Sequence, residues 1–142
     1  MRVYFDASVI IAGFLSSIGG SAQLFWLLQK KVLKGITSQT VIDEVLEEDK
    51  PTKLKRTKEE IENFIVRSEI LVREAIPLEE IRKYEELVDP EDSHLIAGAN
   101  LTHCEYLVTL DKKHLLRDDI QKKFLPLKIV SPKELLSKIV RN

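Results

Sequence analysis

Four acidic residues stand where carboxylates could do chemistry. Asp6 follows the apolar run Val3-Tyr4-Phe5, and Asp111 follows Val108-Thr109-Leu110. Both runs read as strands, and in open parallel sheets ligands bind beyond the carboxyl ends of the strands. Glu44 and Asp92 fall on predicted helices, Glu44 after the second strand and Asp92 in the first turn of a helix opened by Asp89-Pro90. A carboxylate that interrupts a buried apolar run is costly unless it is paired or bound to a metal, which makes Asp6 the sharpest signal of the four. Each acid also has an ordinary use. Asp6 could cap a turn, Glu44 could be a solvated helix acid, and Asp111 could begin a turn. Asp89 as N-cap, Pro90 and Asp92 make a capping arrangement with a favourable helix dipole.

The elements that must position these acids alternate in type. Val3-Tyr4-Phe5, with Ser8-Val9-Ile10-Ile11 behind it, is β-branched and aromatic and begins as a buried strand. Gly19-Gly20-Ser21 opens a helix carrying Ala22, Leu24, Phe25, Leu27, Leu28 and Val32, which Gly35 is expected to break. Ile36-Thr37-Ser38 reads as a second strand ending at a helix cap, and Val41, Ile42, Val45 and Leu46 mark the next helix. Pro51 and Thr52 suggest a loop, and Ile61, Phe64 and Ile65 recur at helical spacing. Ile70-Leu71-Val72 is a third strand. Pro77 precedes a helix with Ile81, Tyr84, Leu87 and Val88, and Leu95, Ile96, Ala99 and Asn100 lie along the Asp89-Pro90 helix. Tyr106 to Leu110 and Leu127 to Val130 are the fourth and fifth strands, and Ser131-Pro132 caps a last helix. This alternation predicts one α/β domain over residues 1–142 with a parallel sheet.

Composition excludes several classes. The 142 residues carry 22 Lys+Arg against 23 Asp+Glu, a net charge of −1, so indiscriminate polycation-like binding to nucleic acid is not expected. Hydrophobic content of 44% excludes a disordered tail. The lone Cys104 excludes an internal disulfide framework, and His94, His103 and His114 have no zinc spacing with it or one another. The first residues loosely imitate a secretory signal, but Asp6 interrupts the apolar region. The expectation is a cytoplasmic protein with no membrane span.

The segments around the four acids resemble the PIN-domain nucleases, including the VapC toxins of toxin–antitoxin pairs. They are Phe5-Asp6-Ala7-Ser8-Val9-Ile10, Thr37-Ser38 through Asp43-Glu44-Val45, Asp89-Pro90-Glu91-Asp92-Ser93-His94 with Ala97 and Ala99, and Leu107-Val108-Thr109-Leu110-Asp111-Lys112. The match runs from Val3 to about Val130. The resemblance implies a three-layer sandwich, a central parallel sheet of about five strands flanked by helices. It implies Mg2+- or Mn2+-dependent cleavage of single-stranded RNA by Asp6, Glu44, Asp92 and Asp111, with Ser8 and Thr109 as supporting hydroxyls. Asp43, Glu47 and Glu48 neighbour Glu44, and helical phase does not separate Asp43 from Glu44; the family register favours Glu44. Such carboxylates suit a hard cation that takes oxygen ligands, lowers the pKa of its water and neutralises phosphoryl charge. An antitoxin protein and a homodimer are the partners the family suggests, and Trp26 is either core or part of the dimer face. Lys50, Lys53, Lys55, Arg56 and Lys58, with Lys112, could meet RNA phosphates or form a solvated surface. The alternatives are a non-catalytic RNA-binding or scaffold module of the same fold and an RNA-processing nuclease without antitoxin. A haloacid-dehalogenase-type phosphatase would want Asp two residues after Asp6, where this chain has Ser8.

Overall fold

A computed structural model describes residues 1–47 and 53–141. Five parallel strands form one sheet in the order β3-β2-β1-β4-β5. They are β1 (Arg2–Phe5), β2 (Lys34–Ser38), β3 (Leu71–Arg73), β4 (Tyr106–Val108) and β5 (Lys128–Val130). Around them run α1 (Ala7–Leu15), α2 (Gly20–Gln29), α3 (Gln39–Val45), α4 (Lys58–Arg67), α5 (Leu78–Arg82), α6 (Ser93–Leu101), α7 (Asp118–Lys123) and α8 (Pro132–Arg141). A 3-10 turn, Pro90–Asp92, leads directly into α6. The expected three-layer α/β architecture is present. Central β1 is fully buried at Val3, Tyr4 and Phe5, as a strand covered on both faces must be.

One layer is joined through aromatic rings. Phe5 on β1 meets Phe25 on α2 at 5.4 Å between centroids, Phe25 meets Phe64 on α4 at 5.0 Å, and Phe64 meets Phe14 on α1 at 5.4 Å. The other layer is led by α6, which packs on β1, β2 and β4. Its residues 95–99 are all buried, which is why no polar face interrupts Leu95 to Ala99. Among the described residues no single helix is long and apolar enough to cross a membrane.

Several elements differ from the sequence expectation. Ser8 to Ile11 are helical, because the Asp6 carbonyl accepts from the amides of Val9 (3.1 Å) and Ile10 (3.3 Å) and starts α1 at once. Burial of Val9 and Ile10 against the core outweighs their β-branched preference. Gly35 does not end α2. That helix stops at Gln29, and Lys31, at φ 60°, turns the chain before β2 begins. Gly35 lies within β2, where an added Cβ would stand 2.6 Å from Leu28 Cδ2. The helix after Pro77 is short, and Tyr84, Leu87 and Val88 follow it in turns. The segment α7 carries no apolar repeat. It buries only Ile120 and places Asp118 and Asp119 in its first turn and Lys122 and Lys123 in its last, as the helix dipole favours.

Candidate active site

The strand order reverses at β1, whose neighbours are β2 on one side and β4 on the other. The carboxyl ends of β1 and β4 therefore border the crevice where doubly wound sheets bind ligands. Asp6 closes β1. Its amide donates to the Val108 carbonyl at 3.1 Å, so it extends the central ladder by one residue. Its backbone caps α1, but its side chain makes no capping bond. Instead Asp6 Oδ2 accepts from Thr109 Oγ1 at 2.7 Å and from Ser8 Oγ at 3.1 Å. The residue is only 7% exposed, and two hydroxyl donors satisfy one oxygen of a carboxylate that burial would otherwise penalise.

Both hydroxyls also bind backbone. Ser8 Oγ accepts from the Leu110 amide at 3.1 Å, and Thr109 Oγ1 accepts from the Asp111 amide at 3.1 Å. The loop after β4 is thus tied to Asp6 through Ser8 and Thr109. Asp111 completes that loop: its Oδ1 accepts from the amides of Lys113 (3.0 Å) and His114 (2.9 Å). It folds a turn just beyond the carboxyl end of β4.

Asp92 enters from the layer that α6 leads. It ends the 3-10 turn and precedes the first residue of α6. Asp89 caps that turn, its Oδ1 accepting from the Glu91 amide at 2.9 Å, and its Oδ2 lies 3.6 Å from His114 Nδ1. The Asp92 carboxyl is pushed up to about 7, first by burial and then by the charges of Asp111, Asp6 and Asp89. Three of the four proposed acids therefore share one field, at residues 6, 92 and 111. His114 opposes that rise only weakly.

Glu44 is half-buried on α3, with its Oε2 atom out of contact with solvent. Ser38, the N-cap of α3, accepts from the Val41 amide and lies at the carboxyl end of β2, beside that of β1. Asp43 is exposed and accepts from Gln39 Nε2 at 2.7 Å, so the two neighbouring acids differ in burial. Asp89 caps its turn as expected, and it also adds charge to the site.

Two further groups at the site had no catalytic signal in the sequence. His94 is in the first turn of α6 with its Nδ1 buried, and no partner hydrogen-bonds that atom among the described residues. Burial holds its imidazole below the usual range against the attraction of Asp6. Tyr4 is fully buried, and burial raises its phenol to about 12. Only the two-residue spacings, Tyr4 to Asp6 and Asp92 to His94, could have pointed to either. Among the basic candidates, Lys53, Lys55, Arg56, Lys58 and Lys112 are exposed, and Lys50 lies outside the described residues. Arg117, also basic and near Asp111, is held by Asp119 through bonds of 3.1 and 2.9 Å.

A PIN domain family model matches residues 2–113, four of the five strands and the positions of all four acids. The chain belongs to the PIN domain family. The fold is also that of the crystal structure of PAE2754 from Pyrobaculum aerophilum, with a TM-score of 0.62 and 18% identity. That alignment covers 100% of this chain and 91% of the other. No curated protein matches the chain. As a PIN domain, the chain has a nuclease-type fold.

The donor set of this PIN domain fits a divalent cation chemically. Asp6, Asp92 and Asp111 offer hard carboxylate oxygens, and a cation would offset the neighbouring charges that add to the burial of Asp92. As they stand, no three His, Cys, Asp or Glu side chains among the described residues are arranged to hold a metal ion.

Proposed function

We propose that this chain is a Mg2+- or Mn2+-dependent endoribonuclease that hydrolyses single-stranded RNA. The observation that carries the proposal is the gathering of Asp6, Asp92 and Asp111 at the switch point, where burial first and the charges of Asp111 and Asp6 next push the Asp92 carboxyl up to about 7. These three, with Glu44, would hold the cation. Once bound, the cation supplies charge neutralisation and an activated water for in-line attack on a phosphodiester. Ser8 and Thr109 orient Asp6 by donating to one of its oxygens, leaving the other for the ion. The Asp111 turn fixes that carboxylate through two backbone amides.

The assay is cleavage of a mixed single-stranded RNA pool with Mg2+, Mn2+ or EDTA. Wild type cleaves with either metal and not with EDTA, and Asp6→Asn and Asp92→Asn do not cleave. Equal cleavage by all three proteins overturns the assignment.

We further assign the chain the role of a type II toxin with a protein antitoxin. The support is the family resemblance, and the test is growth arrest on expression that the neighbouring gene product relieves. A homodimer is proposed on the α1–α2 side. Trp26 is 57% exposed there, rather than core, and Leu15 and Ile18 are exposed as well. A monomeric wild type in sedimentation overturns the dimer.

A further inference from the structure

We propose that Tyr4 is a positioning residue, a buried strut that sets the spacing of the acids carried by β1, α3 and α6. Its role rests on the nuclease assignment above. Tyr4 occupies the middle of the central strand, in register with Ile36 of β2 and Leu107 of β4. Alternation along β1 places its side chain on the same face as that of Asp6, two residues on.

The phenol reaches two other elements. Its hydroxyl donates to Ser38 Oγ at 2.8 Å across 34 residues of sequence. The same Oγ accepts from the Val41 amide at 3.3 Å, which caps α3, the helix that carries Glu44. One hydroxyl thus joins the strand of Asp6 to the first turn of the helix of Glu44. The ring lies against α6 at Gly98, where an added Cβ would stand 2.5 Å from Tyr4 Cζ and closer still to the hydroxyl oxygen. An approach that close admits only glycine, so α6 sits at a depth set by the ring. Asp92 stands immediately before α6, and that depth is transmitted to its carboxyl.

An ordinary core phenylalanine would pack equally well here. What phenylalanine lacks is the hydroxyl, and a fully buried hydroxyl is retained only with a partner. Here the partner is the cap of a site helix. The Tyr4–Ser38 bond therefore contributes more than burial: it fixes the lateral position of α3 relative to β1.

The test compares wild type, Tyr4→Phe, Ser38→Ala and Thr57→Ala, the last removing the capping box of α4. Mn2+ titration by electron paramagnetic resonance, melting temperature, and kcat and KM on single-stranded RNA are measured on each full chain. Tyr4→Phe is expected to remain folded, to bind Mn2+ about ten-fold more weakly, and to lose about ten-fold in kcat, the size typical of residues that orient metal ligands. KM is expected to stay within about two-fold, because the substrate-binding groups are untouched. Ser38→Ala reproduces the weakened Mn2+ binding, and the double variant Tyr4→Phe/Ser38→Ala is no weaker than Ser38→Ala alone. Thr57→Ala lowers the melting temperature and leaves Mn2+ affinity at the wild-type value. Wild-type Mn2+ affinity and kcat in Tyr4→Phe overturn the strut. Wild-type protein that binds no Mn2+ overturns the nuclease assignment and the strut with it, so the two failures are distinct.

Discussion

At the scale of single residues, the site is a set of carboxylates whose charges are only partly balanced. Asp6 has two hydroxyl donors on one oxygen, whereas Asp92 has burial and three nearby acids. This asymmetry makes metal binding and stability interdependent. At about 100 times the dissociation constant, a bound ion stabilises the fold by about 2.7 kcal/mol. Mg2+ or Mn2+ should therefore raise the melting temperature of wild type, and Asp6→Asn should abolish the rise; an unchanged rise in Asp6→Asn counts against Asp6 as a ligand. Asp92 also sets a pH dependence. Its carboxyl is near 3.8 when unfolded and about 7 when folded, so the folded chain holds the extra proton between those values. Its contribution to stability is complete below the unfolded pKa and is lost as pH rises through the folded one. Metal-free protein should thus melt at a higher temperature at about pH 5 than at about pH 8 through this group, with Asp92→Asn losing that difference and saturating metal suppressing it. Urea denaturation of wild type and Asp92→Asn across that range measures both slopes. Asp6 was legible from sequence because an acid in an apolar run has few uses. His94 was not, since a lone histidine in a helix carries no mark of what faces it.

At the scale of elements, caps and close packing hold the acids in place. Ser38 caps α3, Asp89 caps the turn before α6, and Thr57 with Glu60 forms the capping box of α4. Thr57→Ala should cost about 1 kcal/mol and leave Mn2+ affinity at the wild-type value, because α4 lies on the layer away from α6. Loss of Mn2+ binding in that variant would place α4 in the metal site. Gly35→Ala drives a methyl into Leu28 and should cost about 1–3 kcal/mol, read as a lowered denaturation midpoint in urea. Ser38 and Asp89 were visible as caps because Ser and Asp favour the first position before an apolar repeat. The helical state of Ser8 to Ile11 was not. Local β-branched preference pointed one way, and the burial of Val9 and Ile10 decided the other. The end of α2 was hidden for a similar reason, since Lys31 takes a left-handed turn without glycine.

At the scale of the whole molecule, a net charge of −1 is the sum of unlike regions. The switch point concentrates acids, whereas Lys55, Arg56, Lys58 and Lys112 are exposed on the surface. Pairing of these side chains with RNA phosphates would make binding salt-dependent. Charge reversal at Lys55 and Arg56 should weaken RNA binding and flatten its dependence on log salt by about 0.7 for each phosphate no longer neutralised. An unchanged affinity and slope, measured by fluorescence anisotropy, would remove that segment from the footprint.

The sequence by itself determined the alternation of strands and helices and the parallel sheet, and it singled out the four acids proposed for the site. Apolar periodicity and Gly, Pro and cap residues are local, and they survive in one dimension. Only the tertiary structure decided which side chains meet. Thr109 reaches Asp6 across 103 residues, and Tyr4 reaches the cap of α3 and the glycine of α6. Asp43 and Glu44 share the same helix rim in sequence and differ in what surrounds them in space. Burial, and the charge each group feels, depend on chain segments far apart in sequence. The elevated Asp92 carboxyl could therefore emerge only when the carboxyl ends of β1 and β4 and the start of α6 were brought together.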